Sequence, residues 1–600
     1  MFKSIKNLLS LFDNKSKKKL LLSQIILIIA AIFEILGILC VAPLMQLISN
    51  VDILNDENQF ITKIYYYFEI SSYAVFLKII SLSVLIIFFI NFLISIYSIY
   101  FITKFSQDIG NYLKSKLFKF YALQPWIIHS KRDTSTYVTR IIYDTNRISS
   151  AIILPLLLTN AKTIIGLAII IFIFFYDPVI SSICFLVFFT FYILIFKVLK
   201  NKALAWGVVS GESTNSMLKR IAETFGGIRE TILHKKQKKF YDDFSRKAKE
   251  HSKVQVLIQF FQTAPKILLE FIAFLIIVLS ILYTSSSEID QNLQETLPIL
   301  AVYIFAGYKL LPIFQQVYFG LLSLKANTAA IDSIYGELEV DNKNEFIKEE
   351  SLPKQTLDLK NKIQLKNISY SYENSDNFAI KNISLNIPAN SFVSIVGPSG
   401  AGKSTILDTI LGLLTPTHGE ILIDETPLSS ILDHYQHNIS YVGQNIFLQN
   451  ETIKDNICFG LTKSEIDEKK FLNAIEAANL SELIDKLPDG VHTMVGERGV
   501  KISGGQQQRI AIARALYLDR KIIVLDEATS SLDGISENNI LKRLNLFAKN
   551  YKKTIIMVTH NINLTRSSDM IYLIDKGSLV QYGDYNTLLN NEIFKKLLNE

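Results

Sequence analysis

Cysteine, glycine and proline are all scarce in this 600-residue sequence. Only three cysteines occur, Cys40, Cys184 and Cys458, and their spacing fits neither a disulfide framework nor a zinc site. Glycine accounts for 25 residues and proline for 13, well below the averages of about 7% and about 5%. This composition excludes collagen-like and low-complexity chains and favours long helices.

Charge is also limited. Asp, Glu, Lys and Arg make up 20% of the residues, hydrophobic residues make up 49%, and the formal net charge is only +7. The mean hydropathy of +0.27 excludes a protein that is water-soluble throughout. Membrane proteins keep surplus Lys and Arg on cytoplasmic loops, which explains the small positive charge, so we expect no nucleic-acid partner.

Six apolar runs occupy the N-terminal half, and each approaches the about 20 residues that a helix needs to span a bilayer. They cover Leu20–Ile48, Ala74–Ile102, Ile152–Phe175, Val179–Phe196, Ile267–Tyr283 and Leu297–Leu322. Lysines at 15 and 17–19 precede the first run, which is too long for a cleaved signal peptide. We therefore expect a retained anchor with a cytoplasmic N-terminus.

Charges between the runs predict their orientation. Segment 103–147 is basic, whereas 51–72 and 284–296 are mainly acidic. By the positive-inside rule the basic segment is cytoplasmic and the acidic segments are external. The pair Asp177-Pro178 predicts a tight external turn between the third and fourth runs.

Two cytoplasmic connections, 103–147 and 197–265, keep a helical period with charged faces. Each is broken once, at Gln124-Pro125-Trp126 and at Phe225-Gly226-Gly227-Ile228, because proline and paired glycines interrupt helices. We interpret these breaks as short lateral helices that meet a partner domain; simple helical turns are the alternative.

The chain changes character after the last apolar run. A polar stretch without an apolar period predicts a linker over 341–361, between a transmembrane domain at 1–340 and a second domain at 362–600. In the second domain, strand-like runs such as Phe392–Val396 and Lys521–Leu525 alternate with helical patterns. This alternation predicts an α/β domain with a largely parallel sheet.

A glycine-rich loop carries the clearest chemistry. It precedes the helical run Thr405–Leu414 and consists of Gly397, Pro398, Ser399, Gly400, Ala401, Gly402, Lys403 and Ser404. In such a pattern the backbone N–H groups and the helix N-terminus bind phosphates, Lys403 reaches the β- and γ-phosphates, and Ser404 can hold Mg²⁺. We predict a phosphate-binding loop; a chance glycine-rich turn is the alternative.

Two acids follow a second apolar strand. Asp526 and Glu527 come directly after Lys521–Leu525. In a P-loop enzyme the first acid belongs on Mg²⁺ and the second can polarise the attacking water. Together with the glycine-rich loop, this pair predicts a hydrolytic site with Glu527 as the base.

Between these two motifs, Ser503, Gly504, Gly505 and Gln506 open an amphipathic helix. Ser-Gly-Gly-Gln between a phosphate loop and an Asp-Glu strand resembles the signature of ATP-binding cassette (ABC) proteins. The resemblance implies an α-helical membrane domain of six transmembrane helices, of the exporter type, fused to an α/β P-loop nucleotide-binding domain.

The resemblance also implies roles for single residues. Tyr372 matches the aromatic residue that stacks on adenine, Asp533 the loop that crosses the dimer, and His560 the switch histidine. Gln444 matches the glutamine between the catalytic core and the helical subdomain, with catalytic and Mg²⁺-binding roles, and Thr405 extends the phosphate loop. The segment Val495–Gly499 is similar to the one that exporters hold against their coupling helices. This sequence departs from the family pattern at Ile502, Ser531 and Asn561.

Six spans fused to one cassette resemble half a transporter. The resemblance implies a homodimer in which one phosphate loop and the partner's Ser503 loop clasp ATP and Mg²⁺. Closure on ATP would then turn the substrate cavity from inward to outward. The implied location is the bacterial inner membrane, with multiple passes and the nucleotide-binding domain in the cytoplasm.

The substrate is indicated by scattered motifs that resemble PglK-like flippases of lipid-linked oligosaccharides. They are Glu34, Pro265–Glu270, Tyr308–Pro312, Gln444–Gly460 and an external stretch near Asn58–Phe68. Lys266 and Lys309 fall at or within apolar runs, where a charge costs several kcal/mol unless it faces water, a partner or an anion. A pyrophosphate headgroup is such an anion. Equally open are a snorkelling Lys266 paired with Glu270 and a Glu34 that anchors internal hydrogen bonds.

Two other functions share the same cassette. An exporter of peptides or hydrophobic drugs is the first alternative. An ABC-type gated channel or regulator is the second, although the intact Glu527 and Ser503 argue for ATP turnover rather than a switch.

Overall fold

The computed structural model describes residues 2–40, 44, 47, 65, 72–176, 178–285, 293–343, 359–372, 375, 377–496, 499–529 and 534–599. The chain divides into two compact units. One comprises Met1–Gln124 and Lys131–Lys348, and the other comprises Pro125–Ser130 and Glu349–Glu600.

The first unit is helical. Its α-helices are α1 (Phe2–Ser10), α2 (Asn14–Leu39), α3 (Tyr73–Ala122), α5 (Thr134–Val138), α6 (Thr145–Ile148), α7 (Leu154–Tyr176), α8 (Pro178–Gly226), α9 (Ile228–Leu233), α10 (Gln237–Ser285) and α11 (Leu293–Lys343), with α4 (Trp126–His129) assigned to the second unit. Two π-helical segments, Thr139–Asp144 and Ser149–Ile153, flank α6.

Three helical stretches in the described part of the chain are long and apolar enough to cross a membrane: Asn14–Gly37, Tyr73–Ala122 and Thr134–Ile171. Tyr73–Ala122 contains the second predicted span, and the other two stretches overlap the first and third predicted spans without reaching their limits at Ile48 and Phe175. The other three predicted spans lie on α8, α10 and α11. The predicted turn residue Asp177 and most of the stretch Asn58–Phe68 lie outside the described residues.

Both predicted helix breaks are confirmed. α3 ends at Ala122 and α4 begins at Trp126, while α8 ends at Gly226 and α9 begins at Ile228. Within the second unit, Ile127 of α4 packs against a buried apolar cluster. A domain contact for α9 stays a prediction.

The long helices of the first unit pack closely because small residues lie where they cross. The core contains buried aliphatic side chains from α3, α6 and α11, including Ile109, Leu113, Ile148 and Ile331. At Gly207 of α8, an added Cβ would lie 1.6 Å from the carbonyl oxygen of Ala326 in α11. A side chain larger than hydrogen therefore cannot enter this crossing without moving the backbone.

The last long helix continues to Lys343, beyond the predicted start of the linker at 341. Its acidic end is compensated, because Glu337 accepts a hydrogen bond from the Tyr121 hydroxyl and lies 3.4 Å from Arg132 and 3.6 Å from Arg140. These contacts hold the helix just before the predicted linker.

The second unit is the predicted α/β domain. Its strands are β1 (Lys362–Tyr370), β2 (Ile380–Pro388), β3 (Phe392–Val396), β4 (His418–Ile423), β5 (Thr426–Pro427), β6 (Ile439–Val442), β7 (Ile522–Asp526), β8 (Thr554–Thr559), β9 (Met570–Asp575) and β10 (Ser578–Gly583). Its helices after α4 are α12 (Lys403–Ile410), α13 (Leu432–His437), α14 (Ile453–Ile457), α15 (Glu468–Ala477), α16 (Ser481–Asp485), α17 (Gly504–Tyr517), α18 (Gly534–Tyr551), α19 (Tyr585–Leu588) and α20 (Glu592–Asn599).

Two sheets organise these elements. A six-stranded sheet has the order β10-β9-β3-β8-β7-β6, parallel except for the β9–β10 pair. A four-stranded antiparallel sheet has the order β2-β1-β4-β5. Every residue of β3 is buried, as expected of a parallel strand covered on both faces. The predicted helix Thr405–Leu414 ends earlier, at Ile410. Two residues later, Gly412 adopts a φ of +68°, which does not continue a helix.

Candidate active site

The parallel sheet gathers the predicted motifs along one edge. β3 leads into the glycine-rich loop, β6 leads to Gln444, β7 ends in Asp526, and β8 leads to His560. The carboxyl ends of parallel strands meet at the same edge of a sheet, which is where ligands bind in open α/β folds. Motifs that are far apart in the sequence therefore face one another.

The glycine-rich loop is shaped by glycines that no other residue replaces without strain. A Cβ at Gly397 would lie 2.1 Å from the Ile574 carbonyl oxygen, and Gly402 has a φ of +97° at the start of α12. The Lys403 ammonium donates to the carbonyl oxygens of Gly397 and Pro398, each at 2.8 Å. Burial lowers the pKa of Lys403, against the nearby negative charges of Glu527 and Asp526. The lysine is thus held inside the loop that it is predicted to serve.

Two further predicted site residues, Thr405 and Tyr372, contact each other. Thr405 is buried, and its hydroxyl lies 3.2 Å from the Tyr372 hydroxyl. Tyr372 is partly exposed and packs edge-on against Tyr370, with ring centroids 5.1 Å apart. Ser404 is exposed at the first turn of α12. Ring stacking by Tyr372 on a base stays a prediction.

Asp526 lies at the end of β7 beside a tyrosine that sequence reasoning missed. The Tyr441 hydroxyl donates to Asp526 Oδ2 at 3.3 Å. Burial raises the pKa of Asp526, and burial together with the Asp526 charge raises the pKa of Asp408 to about 6. The sequence carries no signal for this contact, because it depends on β6 and β7 being neighbours in the sheet.

Glu527 connects two loops of the site. Its carboxylate accepts a hydrogen bond from Gln444 Nε2 at 2.7 Å and lies 3.2 Å from His560 Nδ1. Its backbone has a φ of +49°, an uncommon value for a residue with a side chain, and its N–H donates to the Val558 carbonyl oxygen at 2.9 Å. Strain of this kind is found where a site fixes the direction of a functional side chain.

Asn561, a departure from the family pattern, has a structural role. Its side chain accepts a hydrogen bond from the Asn563 N–H at 3.1 Å and begins the 3₁₀ helix Ile562–Ser567. Asn561 therefore caps the 3₁₀ helix that follows His560.

The predicted Ser503 loop opens α17. Ser503 caps α17, because its hydroxyl accepts from the Gln506 N–H while the Gln506 side chain accepts from the Ser503 N–H at 2.9 Å. Ser503 and Gly504 are both exposed, and Gly505 is partly exposed. The N–H groups of Gly504 and Gly505 lie at a helix N-terminus, a position that suits an anion.

Two predicted segments are only partly described. Asp533 lies outside the described residues, as do Glu497 and Arg498 of the segment Val495–Gly499. Val495 itself is buried, and its N–H donates to the Glu451 carbonyl oxygen at 3.1 Å.

The first unit holds a second charged cluster, the Glu34 cluster, defined as Glu34, Lys162 and Lys309. Glu34 Oε2 lies 3.2 Å from Lys162 Nζ, and Glu34 Oε1 lies 3.6 Å from Lys309 Nζ. The Glu34 side chain is 13% exposed and that of Lys309 is 24% exposed. Sequence reasoning singled out Glu34 and Lys309 but missed Lys162, although a lone lysine inside the apolar run Ile152–Phe175 is a signal of the same kind.

Lys266 differs from the lysines of this cluster. It lies 3.5 Å from Glu270, one turn along α10, and both side chains are more than 40% exposed. The pairing proposed from the sequence is present, and it is a surface pair of small energetic weight.

Comparisons with known proteins agree with this architecture. A family model of the ABC transporter transmembrane region matches residues 20–307, and a family model of the ABC transporter matches residues 380–530. Among solved structures, a bacterial Atm1-family ABC exporter with ATP bound superposes with a TM-score of 0.77 at 20% identity, covering 98% of this chain and 99% of that one.

Several curated proteins are similar along most of their length. The ATP-dependent lipid A-core flippase of Wigglesworthia glossinidia brevipalpis is 28% identical over 505 residues, 82% of this chain and 84% of that protein. The corresponding flippase of Vibrio vulnificus is 28% identical over 536 residues, 86% and 87% of the two chains. A Rickettsia felis protein described as an export ATP-binding/permease protein is 32% identical over 421 residues, 67% and 68% of the two chains.

These matches extend over both units. The chain therefore belongs to the ABC transporter family, as an exporter in which a helical membrane domain is fused to an ATPase domain that couples ATP hydrolysis to transport.

Proposed function

We propose that this exporter flips an anionic, polar-headed lipid, such as a lipid-linked oligosaccharide, across the bacterial inner membrane. The observation that carries the proposal is the Glu34 cluster, in which one carboxylate lies between two ammonium groups. The similarity to proteins named as lipid A-core flippases supports a lipid as the substrate.

The charge of the cluster favours an anionic ligand. Two lysines and one glutamate leave a formal excess of one positive charge on helices that are predicted to span the membrane. A charge at such a depth costs several kcal/mol unless a counter-charge or water faces it. A phosphate or pyrophosphate group would supply the missing negative charge and accept hydrogen bonds from both ammonium groups.

The exposed Ser503 loop supports action as a homodimer. One chain carries one phosphate loop and one Ser503 loop. In the proposed dimer, the Ser503 loop of one chain binds the phosphates of an ATP that is held by the phosphate loop of the other chain. In the proposed dimer, each ATP lies between Lys403 of one protomer and Ser503 of its partner. A second helix N-terminus would add stabilisation for charge that develops on the γ-phosphate.

We further propose that Glu527 holds the attacking water. In the structure Gln444 and His560 each contact one oxygen of its carboxylate and so fix the orientation of the side chain. Lys403 lies close enough to Glu527 and Asp526 for their charges to raise its pKa. The lysine is therefore positioned to neutralise phosphate charge next to the base.

Mg²⁺ fits the residues at this edge of the sheet. Asp526, Ser404 and Gln444 offer carboxylate, hydroxyl and amide oxygens, the hard donors that Mg²⁺ prefers. Among the described residues, no group of three or more His, Cys, Asp or Glu side chains is arranged to hold a metal ion by itself. Phosphate oxygens would therefore complete the coordination, and the ion would supply charge neutralisation between phosphates.

The proposal predicts distinct effects for two lysines. In proteoliposomes, a polyprenyl pyrophosphate oligosaccharide should stimulate the ATPase activity of Lys309→Ala about tenfold less than that of the wild type. The reason is that one charge-assisted hydrogen bond to the lipid is lost. Lys309→Arg should retain more stimulation because it keeps the charge. Lys266→Ala is the matched control, because Lys266 forms an exposed ion pair with Glu270 and is not part of the Glu34 cluster.

Three results would contradict the proposal. Unchanged stimulation in Lys309→Ala would exclude the cluster as an anion site. A fall in melting temperature without a selective loss of lipid stimulation would assign Lys309 a structural role toward Glu34. Stimulation of the wild type by peptides or hydrophobic drugs alone would favour the alternative class of exporter.

A further inference from the structure

Tyr441 lies near the ends of two neighbouring strands, beside the acid that is proposed to bind Mg²⁺. Its hydroxyl donates to Asp526 Oδ2 at 3.3 Å. We infer that Tyr441 is a positioning residue, which holds the Asp526 carboxylate in a fixed orientation for the metal ion. The inference rests on the proposed role of Asp526 toward Mg²⁺ and adds one residue to the machinery of ATP hydrolysis.

The register of the sheet brings the two side chains together. β6 and β7 are parallel neighbours, and Tyr441 pairs with Val524. Side chains alternate between the two faces of a strand, so Asp526, two residues after Val524, lies on the same face of the sheet as Tyr441. Diagonal neighbours of this kind are within reach of aromatic side chains. The position of Tyr441 on β6 is therefore the one from which a tyrosine hydroxyl meets Asp526.

Gly443 provides the space that this orientation of the tyrosine needs. A Cβ at position 443 would lie 2.8 Å from the Tyr441 hydroxyl oxygen and 2.9 Å from its Cε1 atom. The φ of Gly443 is not positive, so the backbone conformation does not require glycine here. The closeness of the tyrosine does, because a larger residue at 443 would push the ring away from its present position.

A role in the hydrophobic core does not explain Tyr441. It is 48% exposed and lies on an edge strand, whereas its neighbours Ser440 and Val442 are buried. Desolvation and the negative charges of Asp526 and Asp408 raise the pKa of Tyr441. The hydroxyl therefore keeps its proton at neutral pH and serves as a hydrogen-bond donor.

The charged groups near Asp526 do not replace this hydrogen bond. Lys403 attracts Asp526 by its charge, but its ammonium donates to two backbone carbonyl oxygens of the glycine-rich loop, each at 2.8 Å. Glu527 and Asp408 are negative and repel the carboxylate. A neutral donor that orients the carboxylate without cancelling its charge suits a metal ligand, and the loss of such an outer contact typically weakens metal binding about 10- to 100-fold.

Mn²⁺ binding tests the inference, because Mn²⁺ takes the same oxygen ligands as Mg²⁺ and can be followed by EPR. The full-length protein in nanodiscs is saturated with a non-hydrolysable ATP analogue and titrated with Mn²⁺. Tyr441→Phe removes only the hydroxyl, and it should bind Mn²⁺ about tenfold more weakly than the wild type. Its melting temperature and its affinity for the metal-free analogue should be unchanged.

Tyr582→Phe is the matched control. Tyr582 is a 59% exposed tyrosine on β10, the strand at the opposite edge of the same sheet. This variant also loses only a hydroxyl and should bind Mn²⁺ like the wild type. Unchanged Mn²⁺ binding in Tyr441→Phe, an equal loss in Tyr582→Phe, or a loss that comes with a lower melting temperature would overturn the inference.

Asp526→Asn shows whether Tyr441 acts through Asp526. This variant should itself weaken Mn²⁺ binding, and the double variant with Tyr441→Phe should bind Mn²⁺ no more weakly than Asp526→Asn alone. Residues that act through one contact have non-additive effects, so additive losses would overturn the inference.

The outcomes separate the inference from the proposed function. If Asp526→Asn weakens Mn²⁺ binding and Tyr441→Phe does not, the inference fails and the proposed metal role of Asp526 stands. If Asp526→Asn binds Mn²⁺ like the wild type, the proposed metal role of Asp526 is contradicted, and the inference fails with it.

Discussion

The substitution Glu527→Gln removes the charge of the proposed base and little else. The amide oxygen of the introduced glutamine would still accept a hydrogen bond from Gln444, and its NH₂ group would face His560 Nδ1, at the positions now 2.7 Å and 3.2 Å away. The left-handed backbone at this position costs glutamine as much as glutamate, since both carry the same Cβ. We therefore expect a folded protein with nearly unchanged stability.

The catalytic loss should be large. General-base assistance contributes about 10²- to 10⁴-fold to a rate, which corresponds to about 3–5 kcal/mol of activation free energy. Turnover in Glu527→Gln should fall by this factor while ATP affinity is retained, because Lys403 and the phosphate loop are untouched. Bound ATP should then accumulate in a closed dimer.

Phosphate release by purified protein in nanodiscs measures the turnover, and a fluorescent nucleotide measures the affinity. Glu425→Gln is the matched control, because Glu425 is also a glutamate with positive φ, +72°, but it is exposed in a turn away from the site. Turnover within tenfold of the wild type, or a melting temperature that falls as turnover does, would refute the assignment of Glu527.

Three further predictions concern the dimer, the helix crossing and the buried acid. Mixing Lys403→Ala chains with Ser503→Arg chains should restore ATP turnover through heterodimers that keep one composite site, and activity of the isolated monomers would exclude that model. Gly207→Ala should lower the melting temperature strongly, since its Cβ would lie 1.6 Å from a backbone oxygen. Gly336 has open space around it, so Gly336→Ala should leave the melting temperature unchanged or raise it. Equal effects of the two substitutions would contradict the close crossing of the helices. The pKa of Asp408 is raised to about 6, so its ionised form destabilises the fold above that pH; Asp408→Asn should raise the melting temperature at pH 7.5, and the gain should shrink as the pH falls from about 6 toward 4.

The local motifs of the ATPase domain were predictable because each rests on a short sequence with a defined backbone requirement. Gly397 and Gly402 are placed where a Cβ would collide or a positive φ is needed. The strand Phe392–Val396 is observed with the predicted bounds. The helix breaks at Pro125 and Gly226 were predictable for the same reason, since these residues limit the backbone itself.

Contacts between distant side chains were less predictable. Tyr441 reaches Asp526 across two neighbouring strands, and Lys162 reaches Glu34 across two helices. The local sequence marks Lys162 as unusual but indicates the partner in neither contact, because the partners depend on strand order and on the rotation of packed helices. The ion pairs of Glu337 are a further example, because the arginines that compensate it lie about 200 residues away.

Translocation of a defined lipid is the most direct test of the proposed function. A polyprenyl pyrophosphate oligosaccharide, placed in proteoliposomes with the wild type, can be followed by the accessibility of its sugar to an external glycosidase. We predict that ATP changes this accessibility with the wild type and that Glu527→Gln abolishes the change. An unchanged accessibility in the presence of ATP, while the same vesicles transport a peptide or a hydrophobic drug, would contradict the proposal.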